Sequence, residues 1–162
     1  MGQALLIIGW MSTVGFVATG VVGFTIDPGE AMGLHMLMGL AACLLMLFSH
    51  CWIMFYLIGT GKAIKVAVAE HSLDGDAVQQ TKDFKNESYP WMMLAMALAM
   101  ATFIVGGGVD TNVISPHVHT ALYLITLWAQ VKTLVIEHRV LRRNQLLMAD
   151  VSARISGSSS RA

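Results

Sequence analysis

The chain has little charge, little proline and almost no cysteine, and each shortage excludes something. Only 12% of its residues are Asp, Glu, Lys or Arg, half the share of an ordinary soluble domain, which is about a quarter. A surface that poor in charge does not suit a water-soluble globule. The formal net charge is zero, which removes the electrostatic case for a nucleic-acid partner. Three prolines in 162 residues leave long stretches without a helix breaker. Cys43 and Cys51 are the only cysteines. On one helix they lie about 12 Å apart, too far for a disulfide, so no secreted disulfide framework is expected.

Catalytic signatures are missing as well. There is no Ser/His/Asp set, phosphate-binding loop, HExxH or carboxylate pair, so hydrolysis and phosphoryl transfer have no support. Asp74-Gly75-Asp76 falls far short of a calcium loop. The start of the chain lacks a basic leader and a small-residue cleavage site, so it reads as an uncleaved span. MGQALL also lacks the Ser or Thr that myristoylation requires.

What is present is apolar sequence in long runs: 56% of residues are hydrophobic. A membrane-spanning helix takes about 20 apolar residues. The expected fold is all-α: a polytopic membrane four-helix bundle with spans at about 4–26, 31–58, 91–109 and 116–137. A cytoplasmic connection over 59–90, an amphipathic helical tail over 138–156 and a disordered tip over 157–162 complete a single domain. Lys62 to Glu70 can continue the second helix into water. No repeat is evident, since the two helix pairs do not superimpose in sequence.

Local signals refine this plan. Gly15, Thr19 and Gly23 form a ladder of small residues that lets a neighbouring helix approach closely. Asp27-Pro28-Gly29-Glu30 is a tight turn. Tyr89-Pro90-Trp91 marks re-entry at an interface. Ser115-Pro116 starts the last span with an N-cap and a first-turn proline. Every Lys and Arg except Lys132 lies in the middle connection or the tail. The positive-inside rule then places both termini in the cytoplasm, and the absence of a transit peptide points to a bacterial inner membrane.

The chemistry lies with the histidines and sulfur residues. Met32, Met36, Gly39, Cys43, Met46, His50 and Met54 follow at spacings of three or four, on one stripe of the second helix. His35 lies at its outer end, level with His117 and His119 on the fourth span. Ionisable groups inside spans are functional hypotheses by default. His35 with His117 or His119 fits a bis-histidine haem b site, with Gly39 leaving room for a flat macrocycle. His50 lies roughly 22 Å deeper, level with Lys132 to Leu134. It is a candidate ligand of a second haem, partnered by His138, Met92 or Met96, or else a hydrogen-bonding residue. Lys132 either snorkels to the interface or meets a propionate or quinone oxygen.

The layout is similar to that of small four-helix b-type cytochromes and the haem-bearing membrane anchors of respiratory complexes. That similarity implies an electron-transfer subunit rather than a stand-alone catalyst. It would exchange electrons with a quinone or partner protein, alongside other membrane subunits or further copies of itself. Two alternatives stand beside it. One is a cofactor-free accessory subunit that docks through its Gly-rich first span and its tail. The other is copper handling by soft ligands such as Cys43, Met92, Met96 and Met100, where packing by methionine is the plainer account.

Overall fold

The computed structural model describes residues 2–25 and 32–159. The Asp27–Glu30 turn and residues 160–162 of the tail lie outside the described residues. Four helices follow in order: α1 (Gly2–Thr25), α2 (Met32–Glu70), α3 (Asp76–Asp110) and α4 (Pro116–Ser159). Three of them, α1, α2 and α3, contain stretches long and apolar enough to cross a membrane. Their outward faces carry large apolar side chains, among them Ile7, Val14, Phe24, Phe55 and Ile104. A helix that is apolar all round is suited to lipid.

The packing is that of a bundle. α1 lies mainly on α2, α3 on α4, and α2 on α3, with a lesser contact between α1 and α4. The α2–α4 diagonal touches, whereas no α1–α3 contact joins the other one among the described residues. Side chains of α2 and α4 therefore meet across the centre of the bundle.

The connection expected over 59–90 is helical through most of its length. α2 has 39 residues, about 58 Å at 1.5 Å per residue, roughly twice a bilayer's hydrocarbon core. Its non-helical link to α3 is only residues 71–75. Ser72 adopts a left-handed φ of 50° there, and the Leu73 N–H closes the helix end on the Val68 carbonyl at 3.0 Å. The polar stretch stays ordered because its apolar residues fall on one face. Ile64, Ala77, Phe84, Leu141, Leu147 and Val151 bury together, so three helix ends form a packed extension. Pro90 does not break α3. The helix runs through it and loses only the bond a proline cannot donate. At the far end α4 continues through Gly157 to Ser159, where a disordered tip was expected.

The α3–α4 turn uses glycine for contact. A Cβ on Gly108 would lie 2.6 Å from Ile114 Cδ1. Ile114 can fold over the helix end only because that atom is missing. The Val113 and Ile114 N–H groups both bond the Gly108 carbonyl, at 2.9 and 3.0 Å, satisfying an otherwise orphan terminal acceptor.

Candidate functional site

At the α3–α4 end the bundle opens into a cavity of about 860 Å³, to which all four helices contribute. This lies within the range of cofactor pockets, roughly 300–1,000 Å³. His35 of α2 and His119 of α4 both line it, as do Gly39 and Met36. Their rings stand 6.4 Å apart between centroids, with planes at 87°. Phe16, Cys43 and Ala99 line its inner end and pack with Met46 in one buried cluster.

Glycines make the space. A Cβ on Gly23 would lie 2.6 Å from His35 Cε1, and one on Gly106 would lie 3.0 Å from His119 Cε1. A Cβ on Gly20 would collide with the Tyr123 hydroxyl. Each ring thus rests on bare backbone of a neighbouring helix. His35 is further fixed by its Nδ1, 3.1 Å from the Thr19 carbonyl. A carbonyl only accepts, so Nδ1 carries the proton and Nε2 keeps a free lone pair. Imidazole ligands are oriented by such a bond on the other nitrogen. His119 Nδ1 is buried without a partner in hydrogen-bonding geometry, although the Thr102 backbone interacts with its ring at longer range.

These contacts expose a local repeat that sequence inspection missed. Thr19-x-x-x-Gly23 backs His35, and Thr102-x-x-x-Gly106 backs His119. The offsets are 102 − 19 = 83 and 119 − 35 = 84. A threonine and a glycine one turn apart, followed 12 or 13 residues later by histidine, was the available signal. The surrounding residues differ enough to hide it: Gly39 in one half matches Tyr123 in the other.

Two imidazoles facing each other can hold one metal between them. A ligating imidazole nitrogen sits about 2 Å from its metal, with the ring centroid roughly 1.1 Å further, so flanking rings have centroids about 6 Å apart. The observed 6.4 Å between centroids is of that size. Of the two histidines paired with His35 in the sequence reading, His119 lines the cavity, whereas His117 is exposed and outside it.

The other expected ligand positions are arranged differently. His50 is fully buried, and its partners are neither His138, which is exposed, nor a methionine. Its Nδ1 lies 2.6 Å from Glu137 Oε1 and its Nε2 lies 2.8 Å from Gln130 Oε1. With both nitrogens engaged, no lone pair is left for a metal. Met92 packs in the lower apolar core. Met96 accepts a 3.8 Å contact from Cys51 Sγ, and Met100 is exposed. These methionines turn progressively away from one another and line no common path. Lys132 lies on the ring faces of Trp91 and Trp128, 3.6 and 5.1 Å from their centroids, rather than in the cavity.

The partners of His50 were missed because Glu137 read as the charged end of a span. Gln130 and Glu137 are seven residues apart, on one face of α4, and they bracket the level of His50. Gln130 is oriented by α1. Ser12 and Thr13 donate their hydroxyl protons to the Gly9 carbonyl, at 2.7 and 3.0 Å. They can therefore only accept from the Gln130 amide, at 3.4 and 3.3 Å. The Gln130 carbonyl oxygen then faces His50, so Nε2 is the donor. Comparison with protein-family models, curated proteins and solved structures finds no significant match for this chain.

Proposed function

We propose that this protein is a small membrane b-type cytochrome subunit that binds one haem between His35 and His119 and passes electrons within a larger redox complex. The observation that carries this reading is the His35–His119 pair, 6.4 Å apart across a glycine-lined cavity. The haem would supply a one-electron couple. The chain supplies two neutral imidazoles, a tautomer fixed at His35 by Thr19, and an apolar floor of Phe16, Cys43 and Ala99. Among the described residues no Lys or Arg lines the cavity, and its polar lining includes Asp110, Asn112 and Ser115.

The same reading makes α4 the fourth span. Its polar residues Thr126, Gln130, Thr133 and Glu137 are all fully buried, while Leu124, Ile125, Trp128 and Val135 face outward. The helix is polar on its protein side and apolar toward lipid. Both termini and the helical extension then lie in the cytoplasm of a bacterial inner membrane, following the bias of Lys and Arg. Val66 and Leu146 are exposed apolar residues on the extension. They favour docking onto another subunit, which a one-haem carrier needs and which an accessory subunit without cofactor would share. A quinone fits as electron donor or acceptor.

The test is colour. Full-length protein produced with ample haem, purified in detergent and reduced with dithionite, should give a low-spin b-type spectrum. His35→Ala and His119→Ala should each lose it, and His117→Ala should keep it. A colourless wild-type protein, or a spectrum indifferent to His35 and His119, refutes the assignment.

A further inference from the structure

We infer that the inner face of α4 is a proton path from the cytoplasmic extension to the haem cavity, with the His50–Glu137 pair as its proton-loading site. The inference rests on the haem reading above. Its observations are separate from those at the cavity.

Four polar side chains run along one side of α4. Thr126, Gln130, Glu137 and Asn144 are each no more than 1% exposed, and they span about 27 Å at 1.5 Å per residue. The upper end meets the cavity. Thr126 Oγ1 is 2.6 Å from Thr102 Oγ1, and Thr102 lines the cavity beside His119. The lower end lies in the extension, where the Asn144 amide lies 3.3 Å from the Thr60 hydroxyl, whose own proton goes to the Tyr56 carbonyl at 3.0 Å. Buried polar groups cost free energy unless they are partnered, and a purely structural stripe would be closed on itself. This one is not. Glu137 Oε2 and Asn144 Nδ2, two turns apart on the same helix, are buried and without partners, as is Ser49 Oγ beside Gly9. The Glu137 and Asn144 ends lie about 10 Å apart along the axis, a gap that the proposed path would cross through water.

The centre of the stripe holds a proton that can be counted. Gln130 accepts from His50 Nε2, so Nε2 carries hydrogen. One more proton lies between His50 Nδ1 and Glu137 Oε1, 2.6 Å apart. The pair is neutral overall, whichever partner holds that proton. Its surroundings add no charge. α1 presents Ser12 and Thr13 to Gln130, and among the described residues the charged group acting on His50 is Glu137. On α4, Lys132 is turned onto Trp91 and Trp128. Glu87 is tied to Arg139 and Arg143 at the surface.

A second proton on Glu137 gives the pair a charge of +1. An electron delivered to the haem by a quinol-class or protein donor would add −1 roughly 22 Å along the bundle from the pair, a weak but unscreened pull on a positive charge there. Glu137 then takes one proton from cytoplasmic water. One O–H bond forms at Oε2 as the proton's bond to water breaks, and the positive charge gained by the pair would balance the electron a bound haem accepts. Reoxidation releases the proton.

The experiment measures proton uptake per electron when haem-loaded full-length protein is reduced in lightly buffered solution containing a pH dye. Wild type should take up protons. Glu137→Gln should load haem and lose the uptake. Asn144→Leu should keep the extent and slow the rate. Uptake unchanged in a haem-loaded Glu137→Gln protein overturns the proton path and leaves the cytochrome reading intact; a wild type that binds no haem overturns both. Should Glu137→Gln not fold, the reduced-minus-oxidised infrared spectrum of wild type decides. A carboxylic-acid C=O band that appears or changes on reduction and shifts in D2O supports the inference, and a difference spectrum with no carboxylic-acid signal refutes it.

Discussion

Gly23→Ala should displace the His35 ring and, on the haem proposal, weaken haem retention, although alanine is the better helix former. The added Cβ would lie 2.6 Å from His35 Cε1, against about 3.5–4.0 Å for comfortable carbon contact. The ring must retreat by about 1 Å. That movement stretches the 3.1 Å bond from Nδ1 to the Thr19 carbonyl, a loss of about 0.5–1.5 kcal/mol. Overpacking adds about 1–3 kcal/mol, and removing a helical glycine returns about 0.5–1 kcal/mol. The net is a destabilisation of about 1–3 kcal/mol, concentrated on the His35 ring. Two companions calibrate it. Gly106→Ala approaches His119 Cε1 at 3.0 Å, a milder intrusion, and Gly107→Ala meets nothing within 4 Å. Haem retention, read from the reduced spectrum after gel filtration, should rank Gly107→Ala with wild type, then Gly106→Ala, then Gly23→Ala. Thermal melts by circular dichroism should follow the same order. Equal retention by Gly23→Ala and Gly107→Ala would refute the idea that bare backbone at residue 23 makes room for the ligand.

Other tests address the rest of the bundle. Glu137→Ala leaves His50 buried and half-partnered, which should cost about 3–5 kcal/mol; the double change His50→Leu with Glu137→Leu should recover much of that, and a double mutant as unstable as the single would contradict the account of the pair. Phe84 is 1% exposed in the extension, so Phe84→Ala should destabilise by about 3–5 kcal/mol. A melt unchanged by that substitution would mean the extension does not pack. Limited proteolysis of wild type should cut at 71–75 and spare the flanking helical stretches; rapid cleavage throughout 59–90 would argue for an open loop. Lys132→Ala removes a partly buried cation from two indoles and should cost only about 0.5–1 kcal/mol, with any haem retention unchanged. A colourless Lys132→Ala protein would place that residue at the cofactor instead.

The sequence by itself determined an all-helical chain with stretches able to cross a membrane, because low charge and long apolar runs leave few other solutions. The helix starts at Met32 and Pro116 lie close to their expected positions, and the inward stripe from Gly39 to His50 follows from helical period alone. The grouping of His35, Gly39 and His119 was also legible, since depth along a helix is a count of residues. Rotation about the helix axis was not. Only the packed bundle separates His119 in the cavity from His117 outside it, two residues apart on the same turn. Tertiary structure likewise decided that His50 meets Gln130 and Glu137. Partners across the α2–α4 diagonal depend on which faces the two helices turn toward each other, and no single-helix pattern encodes that. Within 59–90 the sequence offered helix over Lys62 to Glu70 and a polar connection from His71 to Pro90, because the latter's surface is polar. Burial of Ile64 and Phe84 against Leu141, Leu147 and Val151 makes it helix, a contact between segments that are distant in the chain.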